Sequence, residues 1–347
     1  MALKRKEGWL YFLGEIDFKT GERYQYVKIG KTDYDRPVSD RSNDHQTGNP
    51  RLITEFADSI RTNFIDDIET YMHHKFATKR VHGEWFLLDE QELSDAVSEA
   101  NRVNELLNQV VSEAKELETF NQEESNDTTI EVTSTIQSDY DSYIQHEKNR
   151  VLHALNKSIV TAELRKLAMS TSGLENVAVQ SSVNINPKFD KKLFESENAE
   201  ILAKYQKTES KMGRSFTIAG KPSPTKSFKD IKKDLDDFLA EIEKVSSVSD
   251  SVIPRDAKVE SLHQKWLELH EKEADEAIMS DIFELKIKHA CGGNLAVDGV
   301  CRWKREMKET TSLDTIALKK NEPDLYEKYL VPQSEQIRFK ITDFRSY

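Results

Sequence analysis

The chain has 347 residues, 62 acidic against 50 basic side chains, and a formal net charge of −12. That balance excludes a uniformly basic nucleic-acid coat, though not a local basic cleft, and no apolar run approaches the length of a membrane span. Two cysteines, Cys291 and Cys301, are too few for a disulfide framework, and the start MALKRKEGWLYFLGE has neither a long apolar core nor a small-residue cleavage site, so a reducing cytoplasm is the expected compartment.

The expected fold class is α+β. GWLYFLGEI and RYQYVKIGK are rich in aromatic and β-branched residues and flank the turn chemistry DFKTGE, which predicts a β-hairpin. DRPVSDRSNDHQ suits a helix that starts near Pro37 and is stopped by TGNP. RLITEFADSI alternates as a third strand. NFIDDIETYMHHKFATKR then sets Phe64, Ile65, Ile68, Met72 and Phe76 at helical spacing, and HGEWFLLD is a short apolar piece. A long helix follows, with Leu93, Val97, Val103, Leu106, Leu107, Val110 and Leu117 in one stripe. The stretch from Ser112 to Asp141 is rich in Ser, Thr, Asn and Glu and reads as a solvated linker or a helix end fraying into one. KSFKDIKKDLDDFLAEIEKV is amphipathic through Phe228, Ile231, Leu235, Phe238 and Ile242, and SSVSDSVIPRD reads as a second linker.

An internal repeat spans the C-terminal half. HEKNRVLHAL at His146 faces HEKEADEAIM at His270; Asp190 faces Asp314; Lys204-Tyr205 faces Lys328-Tyr329; Arg214 faces Arg338. The expected organisation is 1–90 as a small α/β domain on a three-stranded antiparallel sheet, 91–141 as a long helix and acidic linker, 142–222 as a first helical repeat with a small β element, 223–262 as an amphipathic helix and linker, and 263–347 as the second repeat.

The first 90 residues resemble the GIY-YIG nuclease superfamily, in a branch common in phage and bacterial genomes. WLY ending at Tyr11 stands at the first signature triplet and KIG, Lys28 to Gly30, at the second; Arg41 and His45 in RSNDHQTGNP, Glu69 in IETYMHHKF and the end motif VHGEWF follow in family order. Trp9 stands where the signature has its first glycine and Lys28 where it has its second tyrosine. A second resemblance covers the end of the chain, which is similar to the tail of YqaJ-type phage recombination exonucleases and lacks their catalytic core. The first resemblance implies a metal-dependent DNA endonuclease or nickase. Its catalytic residues would be Tyr11, Lys28, Arg41 and His45, with Glu69 holding Mg²⁺ or Mn²⁺ and Lys31 contacting DNA. The second implies DNA contact by Trp303, Lys304 and Arg305, with the ring stacking on a base.

The chemistry fits these residue types. Phosphodiester hydrolysis needs an activated water, counter-charge for the phosphorane and help for the leaving oxygen. A hard cation binds through few carboxylates and keeps its waters, which suits Glu69. Tyr11 could serve as general base if a cation lowered its pKa from about 10, and Lys28 on the paired strand is the expected cation. Arg41 can fork onto two phosphate oxygens. His45, one turn on, could orient the water or protonate the leaving group. Taken singly, each has a plain alternative: Tyr11 and Trp85 as core, Lys28 as a solvated strand residue, Arg41 and His45 as a polar helix face, Glu69 as surface, His73 as packed near Phe76. Glu84 is expected to pair with Arg41 or another basic neighbour, and Cys291 and Cys301 to be buried free thiols. The competing function is a DNA- or protein-binding factor of a phage or mobile element without turnover, and the repeats are a candidate site for a protein partner or homodimer.

Overall fold

The computed structural model describes residues 3–242 and 247–345. Strands β1 (Gly8–Ile16) and β2 (Arg23–Asp33) form the expected hairpin, with Tyr11 opposite Gly30. Helix α1 (Val38–Gln46) starts after Pro37, whose missing N–H costs a helix start nothing, and β3 (Leu52–Thr62) pairs with the other side of β1. Alternation along β1 sends its side chains to opposite faces. Leu10 and Phe12 join Ile29 in the main core, with Ile65, Ile68 and Met72 of α2 (Ile65–Lys75). Tyr11 and Leu13 lie in a second cluster with Val38 and Ile53, flanked by Trp9 and Trp85.

The HGEWF stretch is itself a tight hairpin. After a 3₁₀ turn at Ala77–Lys79, β4 (Arg80–His82) reverses at Gly83, whose φ of 54° favours glycine, into β5 (Trp85–Leu87). β5 adds to the edge of β2, so the sheet has five strands in the order β3-β1-β2-β5-β4 rather than three. Helix α3 (Glu90–Asn108) opens with a capping box between Asp89 and Glu92. The expected single helix breaks at Gln109–Val110 and resumes as α4 (Val111–Phe120). The acidic stretch after it is structured as well. β6 (Thr129–Ile130) pairs in parallel with β11 (Ala296–Val297), far along the chain, and α5 (Ser134–Ala168) begins soon after.

The rest is built on two antiparallel helices of 35 residues, α5 and α10 (Ala257–Cys291), each about 52 Å long at 1.5 Å per residue. Ser280 Oγ donates to Glu147 at 3.0 Å, Lys157 Nζ to His270 Nδ1 at 3.0 Å, and Trp266 Nε1 to Thr161 Oγ1 at 3.0 Å across their seam. Each ends on a left-handed residue, Met169 (φ 50°) and Gly292 (φ 55°). The first is followed by β7 (Gly173–Leu174), β8 (Ala178–Val183), β9 (Lys188–Phe189), α6 (Lys191–Glu197), α7 (Ala199–Lys204) and β10 (Gln206–Ile218). The second is followed by β11, β12 (Cys301–Leu313), α11 (Thr315–Asn321), α12 (Pro323–Lys328), β13 (Leu330–Val331) and β14 (Gln336–Ile341). Between them, α8 (Pro224–Ser227) leads into α9 (Lys229–Ile242), whose Leu235 and Ile242 pack with Leu155 and Ala162 of α5.

The two repeats exchange strands. β10 pairs with β12, β8 with β14, and β9 with β13. Asp190 and Asp314 cap matching helices, and their N–H groups donate to the Tyr329 and Tyr205 carbonyls, both at 2.8 Å. Two ribbons therefore leave opposite ends of the helix pair and meet at one small core of Phe194, Tyr205, Leu313, Leu318 and Tyr329. The His-Glu-Lys identity at His146 and His270 does not mark equivalent positions: Glu147 and His270 are the residues that face Ser280 and Lys157 in the same way across the seam. The second expected linker begins within 243–246, outside the described residues. Its remainder is strapped to β7, with Ile253 N–H donating to Gly173 O at 3.0 Å.

Glu147 is 2 % exposed and accepts from Arg150 at 2.7 Å. Burial pushes its pKa up, but Arg150, Lys221 and Ser280 together hold it below the ordinary carboxylate value. A depressed carboxylate stabilises the fold above its unfolded pKa of about 4.3, and that contribution is lost as pH falls through the lower folded value. Glu147→Ala is expected to cost about 2–4 kcal/mol at neutral pH and much less in acid, as read by urea titration at both pH values.

Candidate active site

The Tyr11 ring lies on Gly30. A Cβ at Gly30 would sit 2.6 Å from Tyr11 Oη and 2.7 Å from Cζ, so the glycine of KIG is the space the ring occupies. Helix α1 brings Arg41 and His45 to the same side of the sheet. The Arg41 guanidinium lies beside the Tyr11 hydroxyl without hydrogen-bond geometry, and Tyr11 Oη, Arg41 Nε and His45 Nε2 are all buried without a hydrogen-bond partner. Each such atom costs about 1–3 kcal/mol of lost hydration, so three around one place mark a site prepared for a polar ligand. Arg41 is held from behind: its Nη1 donates to Asp44 at 3.0 Å, and Asp44 also accepts from Arg36 at 2.6 Å.

Lys28 is buried and its ammonium pairs with Glu84, carried by the HGEWF hairpin. It is not the cation that tunes Tyr11. Burial raises the Tyr11 pKa, the Arg41 charge pulls it down, and Glu84 and Glu69 push it up. The net shift is upward, so Tyr11 rests as a neutral phenol and the expected lowering by Lys28 is absent. Burial of the phenol outweighs the pull of Arg41, and the Lys28 ammonium is paired with Glu84. His45 shifts the other way. Burial, then Lys28 and Arg41, lower its pKa against Asp44 and Glu84, leaving a neutral imidazole with a free Nε2.

Glu69 stands on α2 with its side chain 12 % exposed, and Lys31 Nζ bridges it at 2.8 Å to Asp66 at 2.5 Å. Burial raises the Glu69 pKa, Lys31 lowers it, and Glu84 and Asp66 raise it further. Lys31, expected to contact DNA, is thus engaged with two carboxylates. An ammonium held between two carboxylates shows that the place favours positive charge, and carboxylate oxygens are the donor type that a hard divalent ion takes. Among the described residues there is no group of three His, Cys, Asp or Glu side chains that could hold a metal, so the protein could offer Glu69 with Asp66 alone. Asp66 escaped the sequence reading, although its spacing of three residues before Glu69 places both on one helix face. The His73 Nε2–H donates to Ile29 O at 2.8 Å and its ring packs on Phe86. His74 packs on His270, with ring centroids 4.2 Å apart.

The residues expected to bind DNA at the end of the chain are divided. Trp303 and Arg305 are 0 % and 1 % exposed. The Arg305 guanidinium lies 3.8 Å over the Trp303 ring and its Nε donates to Glu123 O at 3.1 Å. That face of β12 packs on α10 through Lys288, so the indole is closed to a base. Lys304 points the other way and pairs with Glu306. Cys291 and Cys301 are buried and free. Among the described residues no helix is long and apolar enough to cross a membrane. No curated protein and no solved structure matches the chain. Residues 8–101, which carry Tyr11, Lys28, Arg41, His45 and Glu69, match the model of the T5orf172 domain, a phage-associated domain of nuclease-like fold.

Proposed function

We propose that the chain is a metal-dependent DNA endonuclease or nickase of GIY-YIG type, with the C-terminal repeats positioning the DNA. The observation that carries this reading is the convergence of unpartnered Tyr11 Oη, Arg41 Nε and His45 Nε2 beside a half-neutralised Glu69, within the segment that matches a phage-type nuclease-like domain. Glu69, supported by Asp66, would hold the cation. Mg²⁺ or Mn²⁺ bound there would supply Lewis-acid polarisation of the scissile phosphate. Arg41 grips the non-bridging oxygens, and Tyr11, kept protonated by burial, donates a hydrogen bond where negative charge develops. His45 is the base: its free Nε2 accepts the proton of the attacking water. Lys28, buried and paired with Glu84, acts on the site by lowering the His45 pKa and so helps keep the base neutral.

This division of labour has a pH signature. The base must be neutral, so the rate falls as pH drops through the His45 pKa, which lies below the ordinary value of about 6.5. His45→Ala is expected to reduce cleavage by about 10²–10⁴-fold and to flatten that acid limb. An unchanged limb in the variant assigns the base elsewhere.

A binding role without turnover is favoured by one observation, the Lys31 ammonium already seated on Glu69. Supercoiled plasmid incubated with Mg²⁺ or Mn²⁺ decides between the two. Cutting by the parent and not by Glu69→Ala supports the nuclease; cutting by both or by neither overturns it. Retention of biological activity by Glu69→Ala supports the binding factor.

A further inference from the structure

We propose that the ribbon made by β10 and β12 grips duplex DNA by lying in its major groove. The inference rests on the nuclease reading for its choice of nucleic acid and goes beyond it in naming the surface. The ribbon pairs without a bulge from Gln206 opposite Leu313 to Ile218 opposite Cys301, a length of about 41 Å at 3.4 Å per residue. It is anchored at one end by Phe216 and Trp303 against Lys288 of α10 and at the other by Tyr205 and Leu313 in the small distal core. Beyond Arg305, which is buried, the ribbon is largely exposed. Residues 307–312 of β12 and most of the facing part of β10 are exposed. β11 pairs with β12 only at Arg302 and Cys301, so over residues 307–312 the ribbon is two strands wide, and such a ribbon gains from a partner laid against it.

The charge pattern says what the partner is. Lys211 lies opposite Lys308, and the period of two places Lys207 and Glu209 on the same face as Lys304 and Glu306. On each strand one glutamate pairs with both of its lysines, Glu209 with Lys207 and Lys211, and Glu306 with Lys304 and with Lys308 at 2.8 Å. The lysines pull Glu209 down to about 2. Each set of three keeps one excess positive charge, and the four lysine side chains remain 47–75 % exposed. Gly213 completes the face: a Cβ there would meet the Lys308 stem at 2.9 Å, so its absence lets that lysine lie across the ribbon. In a chain of net charge −12 this exposed cationic comb is a local surface that attracts duplex phosphates. The major groove admits a two-stranded ribbon, and lysines on such a ribbon reach the flanking phosphates.

The test uses the full chain carrying Glu69→Ala, so that binding is read without cleavage. Fluorescence anisotropy on a short duplex is measured across a salt series. Replacing Lys207, Lys211, Lys304 and Lys308 together by alanine is expected to weaken binding at least about tenfold at about 0.1 M salt and to make the salt slope shallower by about 3 to 4. Replacing the same four by arginine is expected to preserve both. Unchanged affinity and slope in the alanine variant, with its thermal unfolding unchanged, overturns the proposal. So does tighter binding to a single strand than to the duplex of the same sequence, or no binding at all by the Glu69→Ala background. If the duplex binds through the four lysines while the parent cuts no plasmid, the ribbon stands and the nuclease reading falls.

Discussion

Glu69→Ala is expected to leave the protein folded and to reduce plasmid cleavage about a thousandfold or more. The fold survives because Glu69 is one of two carboxylates on Lys31; Asp66, 2.5 Å from the ammonium, still neutralises it. The cation site does not survive, because Asp66 remains as the single oxygen donor and is already committed to Lys31. Losing Lewis-acid stabilisation worth several kcal/mol corresponds to about three decades of rate. The same substitution separates two roles that a loss of activity alone would confuse. Thermal unfolding within a few degrees of the parent, together with duplex binding, would place the defect in chemistry. A large drop in stability would instead make Glu69 a structural counter-ion for Lys31. Lys31→Ala gives the reciprocal reading. It removes the seated ammonium and is expected to lower the Mn²⁺ concentration needed for half-maximal cleavage.

How much of this was legible beforehand differs between fold and site, for physical reasons. The α+β class, the first hairpin and the helices α1 and α2 follow from local periods and turn chemistry that each segment carries in itself, as in the DFKTGE turn or the spacing of Ile65, Ile68 and Met72. The β4–β5 hairpin is too short to show a period, and the break at Gln109–Val110 has neither glycine nor proline to announce it. The exchange of strands between the repeats is invisible locally, because β10 matches β12 as well in pattern as any neighbour would. The same limit governs the site. Type and order pointed to Tyr11, Lys28, Arg41, His45 and Glu69, but partners are set by three-dimensional packing. Nothing in VKIGK says that Lys28 will meet Glu84 or that Lys31 will meet Glu69. Alternation along a strand sets Trp303 and Arg305 on one face and Lys304 on the other, but it does not say that the Trp303 face is the buried one.

Gly30→Ala is expected to be the most damaging single change near the site that removes no functional group. Its Cβ would lie 2.6, 2.7 and 2.8 Å from Tyr11 Oη, Cζ and Cε2, closer than real Cβ atoms come. Neither side can yield cheaply. Gly30 is held in β2 directly opposite Tyr11 of β1, and Tyr11 is wholly buried among Leu13, Val38 and Ile53. Overpacking of this kind costs about 1–3 kcal/mol, and the ring it displaces would otherwise set the hydroxyl beside Arg41, so cleavage should fall together with stability. The cause is checked with a double-mutant cycle in urea. Tyr11→Ala alone opens a cavity and costs about 3 kcal/mol or more. If the clash is the mechanism, adding Gly30→Ala to it costs almost nothing further, giving a coupling of about 1–3 kcal/mol between the two positions. Additive costs would mean that Gly30 is required for the backbone of β2 itself, and that Tyr11 and Gly30 are neighbours without being a fitted pair.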